Sequence, residues 1–267
     1  MKKILVIVVV ILSFAVIIVG KMHWNNKIEA SARTAQAEKP DVQIKNATEE
    51  YQEDKKKVAN VEKYSKNLPK DIQTKLIAAV QNGKPVNLVI AGSSSTPEDP
   101  SGWPTLLKKE LENTYGEDLL NITIKEISDK TSTQVLQEEL YQEIISLSPD
   151  ILLLEPFILY DNSKIISIDV RLENIHQILE AIKAEFADLS VILQPANPLH
   201  NAKHYPKEVE RLEAFAAENN FTYLNHWEAW PDYQSDKIVE YLNEGLPSQR
   251  GHKLWMEYLG NYFIAKE

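Results

Sequence analysis

The chain has 267 residues, no cysteine and a formal net charge of −10. A disulfide framework, a thiol nucleophile, Cys-ligated zinc and a cysteine-borne lipid are excluded, and so acidic a chain lacks the basic footprint of a nucleic-acid binder. The hydrophobic share of 43% is that of a globular protein, but the charge is uneven: residues 1–83 carry 14 basic and 9 acidic side chains, residues 84–267 carry 15 and 30.

Lys2 and Lys3 precede an unbroken apolar run over 4–19. About 20 apolar residues cross a bilayer and ~17 can suffice, so this run, with Met22 and Trp24 at its edge, is long enough for a membrane anchor. The alternative is a cleaved signal peptide, whose apolar region is usually about 7–15 residues, closely followed by a small-residue site. The nearest such sites, Ala30-Ser31-Ala32 and Ala35-Gln36-Ala37, stand well beyond the run. The Lys pair and the terminal amine favour a cytoplasmic N-terminus. The rest is then expected outside the cell membrane, or secreted if the segment over 1–24 is removed.

Residues 25–45 are low in hydrophobicity and read as a flexible spacer. Glu49, Glu50, Glu53 and Asp54 then precede Lys55, Lys56 and Lys57. That order suits a helix dipole and i,i+4 pairing, and predicts a solvated helical stalk over 47–65. A short amphipathic helix over 71–81, stopped by Asn82-Gly83, is placed to pack on the C-terminal domain. The spacer and stalk together cover 25–83.

From Lys84 short apolar runs alternate with helical periodicity. Strands are predicted over 86–91, 122–127, 151–154, 191–193 and 221–224. Helices are predicted over 103–115, 133–147, 172–186, 205–218 and 251–263. The alternation predicts one α/β domain over 84–267, with a parallel sheet covered on both faces in three α/β/α layers.

Ligands of such sheets bind at the carboxyl ends of the strands. There the first strand is followed by Gly92-Ser93-Ser94-Ser95-Thr96, a turn that can supply a hydroxyl nucleophile and N–H donors. Taken alone it reads more readily as a serine-rich turn or phosphate nest without chemistry. No Walker or dinucleotide glycine pattern is present. Aromatic residues follow other strands: Trp103, Tyr160, Trp227 and Trp230 could line a cleft and stack on sugar rings, or could simply fill the core. Asn197, in Gln194-Pro195-Ala196-Asn197-Pro198, and His226 lie in loops at the same end.

These blocks resemble the GDSL/SGNH hydrolase superfamily over about residues 85–266. Val89-Ile90-Ala91-Gly92-Ser93-Ser94-Ser95-Thr96 is similar to the family's strand and Gly-Asp-Ser-x-Thr, with Ser93 in the Asp place and Ser94 as nucleophile. Gly102-Trp103-Pro104 continues it. In the second block Asp129 takes the place of an oxyanion-binding Gly. In the third, Tyr160-Asp161-Asn162 stands where Gly-x-Asn-Asp is usual, which makes Asn162 the nearest amide donor. In the last block, Pro247 and Gly251-His252 align and put Asn243 on the catalytic acid and Leu246 on the catalytic histidine. Leucine cannot accept a proton, so His252 or another histidine would have to serve as base.

The resemblance implies a flavodoxin-like sheet and a serine esterase or O-deacetylase, which the N-terminal apolar run would anchor to the membrane. Its substrate would be a small ester, an acylated glycan or a lipid, and it would need no cofactor or metal. The other reading is a catalytically inactive binding or scaffolding domain of the cell envelope.

Overall fold

The computed structural model describes residues 40–266. The apolar run over 4–19 lies outside them, and among the described residues no helix is long and apolar enough to cross a membrane. The chain divides into two units, Met1–Lys55 and Lys56–Glu267, and the second carries the sheet.

Helix α1 spans Pro40–Tyr64 and α2 spans Lys70–Asn82. Ile72, Leu76 and Ala79 recur at helical spacing in α2 and are all buried. Gly83 ends the helix in the left-handed region, φ 63, which glycine enters without a Cβ penalty. Val61 and Leu68 join Ile72 and Leu76 in the core that contains β1. The compact unit therefore starts at Lys56, ahead of the composition change at Lys84. The end of the charged helix and all of α2 belong to the domain, because their apolar stripes have the sheet to pack against.

Five parallel strands complete the sheet: β1 Val86–Gly92, β2 Leu120–Glu126, β3 Ile151–Glu155, β4 Ser190–Leu193 and β5 Thr222–Tyr223. Their order is β2-β1-β3-β4-β5, the doubly wound order that crosses over at β1 and β3. Ile90 pairs with Leu153, and Gly92 with Glu155 at the carboxyl edge. Successive residues alternate between faces: Leu88, Ile90, Ile151 and Leu153 join one core, Val89, Ala91, Leu152 and Leu154 the other. Burial on both faces is why these strands read as continuous apolar runs.

The first core is closed by α2, by α3 (Trp103–Tyr115) and by α9 (Gln249–Phe263), through Leu107, Trp255 and Leu259. The second is closed by α4 (Ser132–Gln137), α7 (Ile168–Glu185) and α8 (Tyr205–Glu218), through Val135, Ile175, Leu179 and Leu212.

The helix predicted over 133–147 is broken. Helix α4 opens on a Thr131–Gln134 capping box, and a second short helix, α5, spans Tyr141–Ser146. Glu139, at φ 54, turns the chain between them. Beyond the prediction are a short α6 (Ile158–Ser163), two 3-10 turns, and a hairpin of β6 (Leu242–Asn243) and β7 (Leu246–Pro247).

Candidate active site

Strand β1 delivers Gly92 against the end of β3. A Cβ there would lie 2.9 Å from Glu155 Cβ and would run into Thr96 Oγ1. Only glycine lets the two strand ends close. The turn after Gly92 is tied by Thr96 N–H to Ser93 O at 2.8 Å. Ser93, Ser95 and Thr96 all turn inward and are buried. Ser95 Oγ donates to Asn197 Oδ1 at 3.0 Å, and Trp103 Nε1 donates to Ser95 O at 2.8 Å. Ser94 alone faces outward: it is half-buried, and among the described residues its hydroxyl has no hydrogen-bond partner.

Beneath the turn lies Glu155, 0% exposed. Its Oε2 accepts from Ser93 N–H at 2.8 Å, Ser93 Oγ at 2.6 Å and Thr96 Oγ1 at 3.3 Å. Burial pushes this carboxyl up to about 7 against the pull of those donors. Asp161 is also raised by burial, opposed by the donors of Ser132.

Ser94 opens into a cavity of about 260 Å³. Leu159, Leu199 and Leu246 give it apolar walls, and Tyr160, Asn162 and Glu244 bring polar groups. Glu244 (φ 52) and Gly245 (φ 85) form the tight turn of the β6–β7 hairpin, the left-handed pair that such hairpins favour. Asn197 fixes this tip, since its Nδ2 donates to Gly245 O at 3.0 Å while its Oδ1 accepts from Ser95. Asn197 is wholly buried, so it holds the cavity's two sides together rather than touching a ligand.

Of the residues expected at the site, Ser94, Tyr160 and Asn162 meet at this cavity. One Asn162 amide proton is committed to Glu208 Oε2 at 2.6 Å, which also accepts from Arg171. The second remains to be used. Asp129 adopts φ 55, consistent with its alignment to a glycine, since Asp tolerates that region. Its side chain is exposed and it does not line the cavity.

His252 lies elsewhere. Its Nδ1 accepts from Trp103 N–H at 3.3 Å, and it is not among the cavity's lining residues. Burial lowers its pKa, opposed by the charge of Asp99. Leu246, 40% exposed, faces the cavity instead.

Of the four aromatics expected to line a sugar-stacking cleft, Tyr160 lines the cavity, but Trp103 and Trp230 belong to the core. Trp103 is 0% exposed and stacks on Trp255 at 4.7 Å, and Trp230 is buried beside them. His226 is also fully buried, with Nε2 on Pro195 O and Nδ1 accepting from Trp230 Nε1, each at 2.9 Å. The Trp227 indole donates to Ala196 O and packs on Tyr205, away from the cavity. A buried ring has no face to offer a ligand. Glu155 and Glu244 are site residues that the sequence pattern did not single out. A carboxylate closing the apolar run Ile151–Glu155 was the available signal for the first, since charge at the end of a doubly buried strand needs a partner. Among the described residues no cluster of acidic and histidine side chains is set to hold a metal ion.

No family model and no curated protein matches the sequence. Solved structures do match. A protein assigned to the G-D-S-L lipolytic family, from Desulfitobacterium hafniense DCB-2, superposes with a TM-score of 0.53 at 19% identity, over 66% of this chain and 99% of its own. An alpha/beta hydrolase enzyme from the metagenome of Lake Arreo gives 0.55 at 14% identity, over 68% and 96%. An acetylxylan esterase from Geobacillus stearothermophilus gives 0.52 at 15% identity, over 69% and 96%. The chain thus has the fold of the GDSL/SGNH hydrolases.

Proposed function

With that fold as premise, we propose that the domain is an SGNH-type ester hydrolase, held at the outer face of the cell membrane by residues 1–24. Its substrate in this reading is an acetyl or acyl ester on a neutral glycan or a lipid. The observation that carries it is the Ser94 hydroxyl: the one side chain of its turn left unbonded, at the mouth of a cavity at the carboxyl edge of a parallel sheet. The acetylxylan esterase among the fold neighbours supports an acetylated glycan, and the chain's acidity disfavours anionic polymers. The anchor rests on Lys2, Lys3 and the apolar run over 4–19.

In the reaction Ser94 Oγ adds to the ester carbonyl, the carbonyl oxygen becomes the oxyanion, and the alcohol leaves with a proton. Water then releases the acid from the acyl-serine. The Ser94 N–H group, the Tyr160 hydroxyl and the second Asn162 proton are the donors assigned to the oxyanion. The proton acceptor assigned here is Glu244, the one carboxylate lining the cavity. A carboxylate is a weaker base than imidazole near neutrality, so turnover is slow.

Leu246 favours a second reading, in which the same cavity holds an acylated ligand without cleaving it. The two separate on p-nitrophenyl acetate with full-length protein in detergent. Hydrolysis that Ser94→Ala abolishes supports the enzyme. Equal rates for wild type and variant would sink it and leave the binding domain.

A further inference from the structure

The nucleophile turn is built on a single oxygen. Glu155 Oε2 takes the N–H and hydroxyl of Ser93 on one side of Ser94 and the hydroxyl of Thr96 on the other. Because the Ser93 hydroxyl donates to Glu155, its oxygen is free to accept, and Ser95 N–H reaches it at 3.3 Å. The residues on both sides of Ser94 are thereby fixed to the end of β3, and only the Ser94 side chain is left to face the cavity. Desolvating a carboxylate is costly, and here the charge is answered only in part, by donors from one turn. Its other oxygen, Oε1, is buried without a partner among the described residues.

We infer that Glu155 is a positioning residue for Ser94: its carboxylate, supplied by β3, holds the Ser93–Thr96 turn in the conformation that presents the nucleophile to the cavity. This rests on the reading of Ser94 as the reacting group. Asp161 from α6 and Tyr205 from α8 are the titratable groups that act on Glu155. Neither is a cation, and the hydroxyls of Ser93 and Thr96 are neutral, so the carboxylate is held by hydrogen bonds rather than by an ion pair. Ionised Glu155 makes charge-assisted bonds, roughly twice as strong as neutral ones. The turn is then tightest where Glu155 is ionised and looser where it is protonated.

Two measurements on full-length protein test this, each on wild type, Glu155→Gln and Ser93→Ala. The first is the NMR amide shifts of Ser93, Ser95 and Thr96 against pH. They should move together with a midpoint near 7, the value to which burial raises Glu155, and should lose that step in Glu155→Gln. The second is the rate of Ser94 labelling by a fluorophosphonate. It should rise through the same pH range, fall about tenfold to a hundredfold in Glu155→Gln, and fall less in Ser93→Ala, which keeps the backbone donor. If Glu155→Gln labels as fast as wild type with an unchanged pH profile, the inference is overturned while Ser94 keeps its role. If wild type is not labelled at all, the Ser94 reading fails. The amide shifts then decide only whether Glu155 holds the turn: a step present in wild type and absent in Glu155→Gln supports that, and no step overturns it.

Discussion

The imidazole of His226 lies flat on the indole of Trp255, with ring centroids 3.8 Å apart and planes 12° from parallel. Trp103 continues the stack from the other side of Trp255. Both His226 nitrogens are engaged, Nε2 donating to Pro195 and Nδ1 accepting from Trp230. That pattern fixes one neutral tautomer, because a protonated ring would aim a second donor at the Trp230 N–H. Burial lowers the His226 pKa from its ordinary 6.5 to about 3.

In the unfolded chain His226 takes up its proton near 6.5 and in the folded chain only near 3, so the unfolded state binds more protons between those values. Stability from this site is complete above about 6.5 and is lost as pH falls toward 3, by on the order of 5 kcal/mol. Denaturant unfolding across this range should show the slope, and His226→Gln should flatten it. The same variant should cost about 2 kcal/mol at neutral pH, where stacking is lost.

Glu155 slopes the other way. Its carboxyl is raised from 4.5 to about 7 by burial, so the folded state binds the extra proton between these values. Stability from this site is greatest below about 4.5 and falls as pH rises through 7. Glu155→Gln should remove that decline, leaving the variant more stable than wild type at pH 8 by roughly 1–3 kcal/mol. A variant less stable than wild type at pH 8 would show that the charged hydrogen bonds outweigh desolvation.

Asn197 joins Ser95 to Gly245, and with them the cavity's two sides. Asn197→Ala strands the Ser95 hydroxyl and the Gly245 carbonyl, at a cost of about 1–3 kcal/mol. The hairpin tip at Glu244 should then be cut faster by a Glu-specific protease, while a mutation far from the cavity with the same loss of stability should leave the tip's cleavage slower.

Leu246→His puts an imidazole on the cavity wall beside Ser94. The p-nitrophenyl acetate rate should rise by about tenfold or more, toward the range general bases contribute. The gain should appear as pH passes about 6.5, the ordinary imidazole value, because only the neutral ring accepts a proton. A rate that stays at the wild-type level at pH 8 would mean that position 246 does not reach the nucleophile.

Apolar periodicity made the fold readable. Ile151–Glu155 and Val86–Gly92 are continuous runs because both of their faces are covered, and α2, α3, α7, α8 and α9 show their stripes in the sequence. The Ser94 turn stood out by its place after a buried strand, but its local sequence also fits a turn without chemistry, and the resemblance to the GDSL block is what singled out Ser94. Local rules failed where a residue's role depends on partners distant in sequence. Trp103 and His226 read as ligand-facing aromatics, but Trp255 covers both and Pro195, in another loop, engages His226. His252 stood in as a substitute base because Leu246 takes the motif's histidine place, yet the start of α9 turns it onto Trp103 N–H.

The sequence by itself determined the parallel α/β architecture and the serine turn that follows its first strand, because period and apolarity act through neighbours along the chain. Only the tertiary structure decided that the compact unit begins at Lys56, that Trp103, Trp230 and His226 lie in the core, and that Asn197 ties the two sides of the cavity together. Those outcomes depend on which strand ends, helix starts and loop tips meet at the edge of the sheet. Contacts such as Ser95 to Asn197 and Ser93 to Glu155 span stretches of chain that leave no periodic trace.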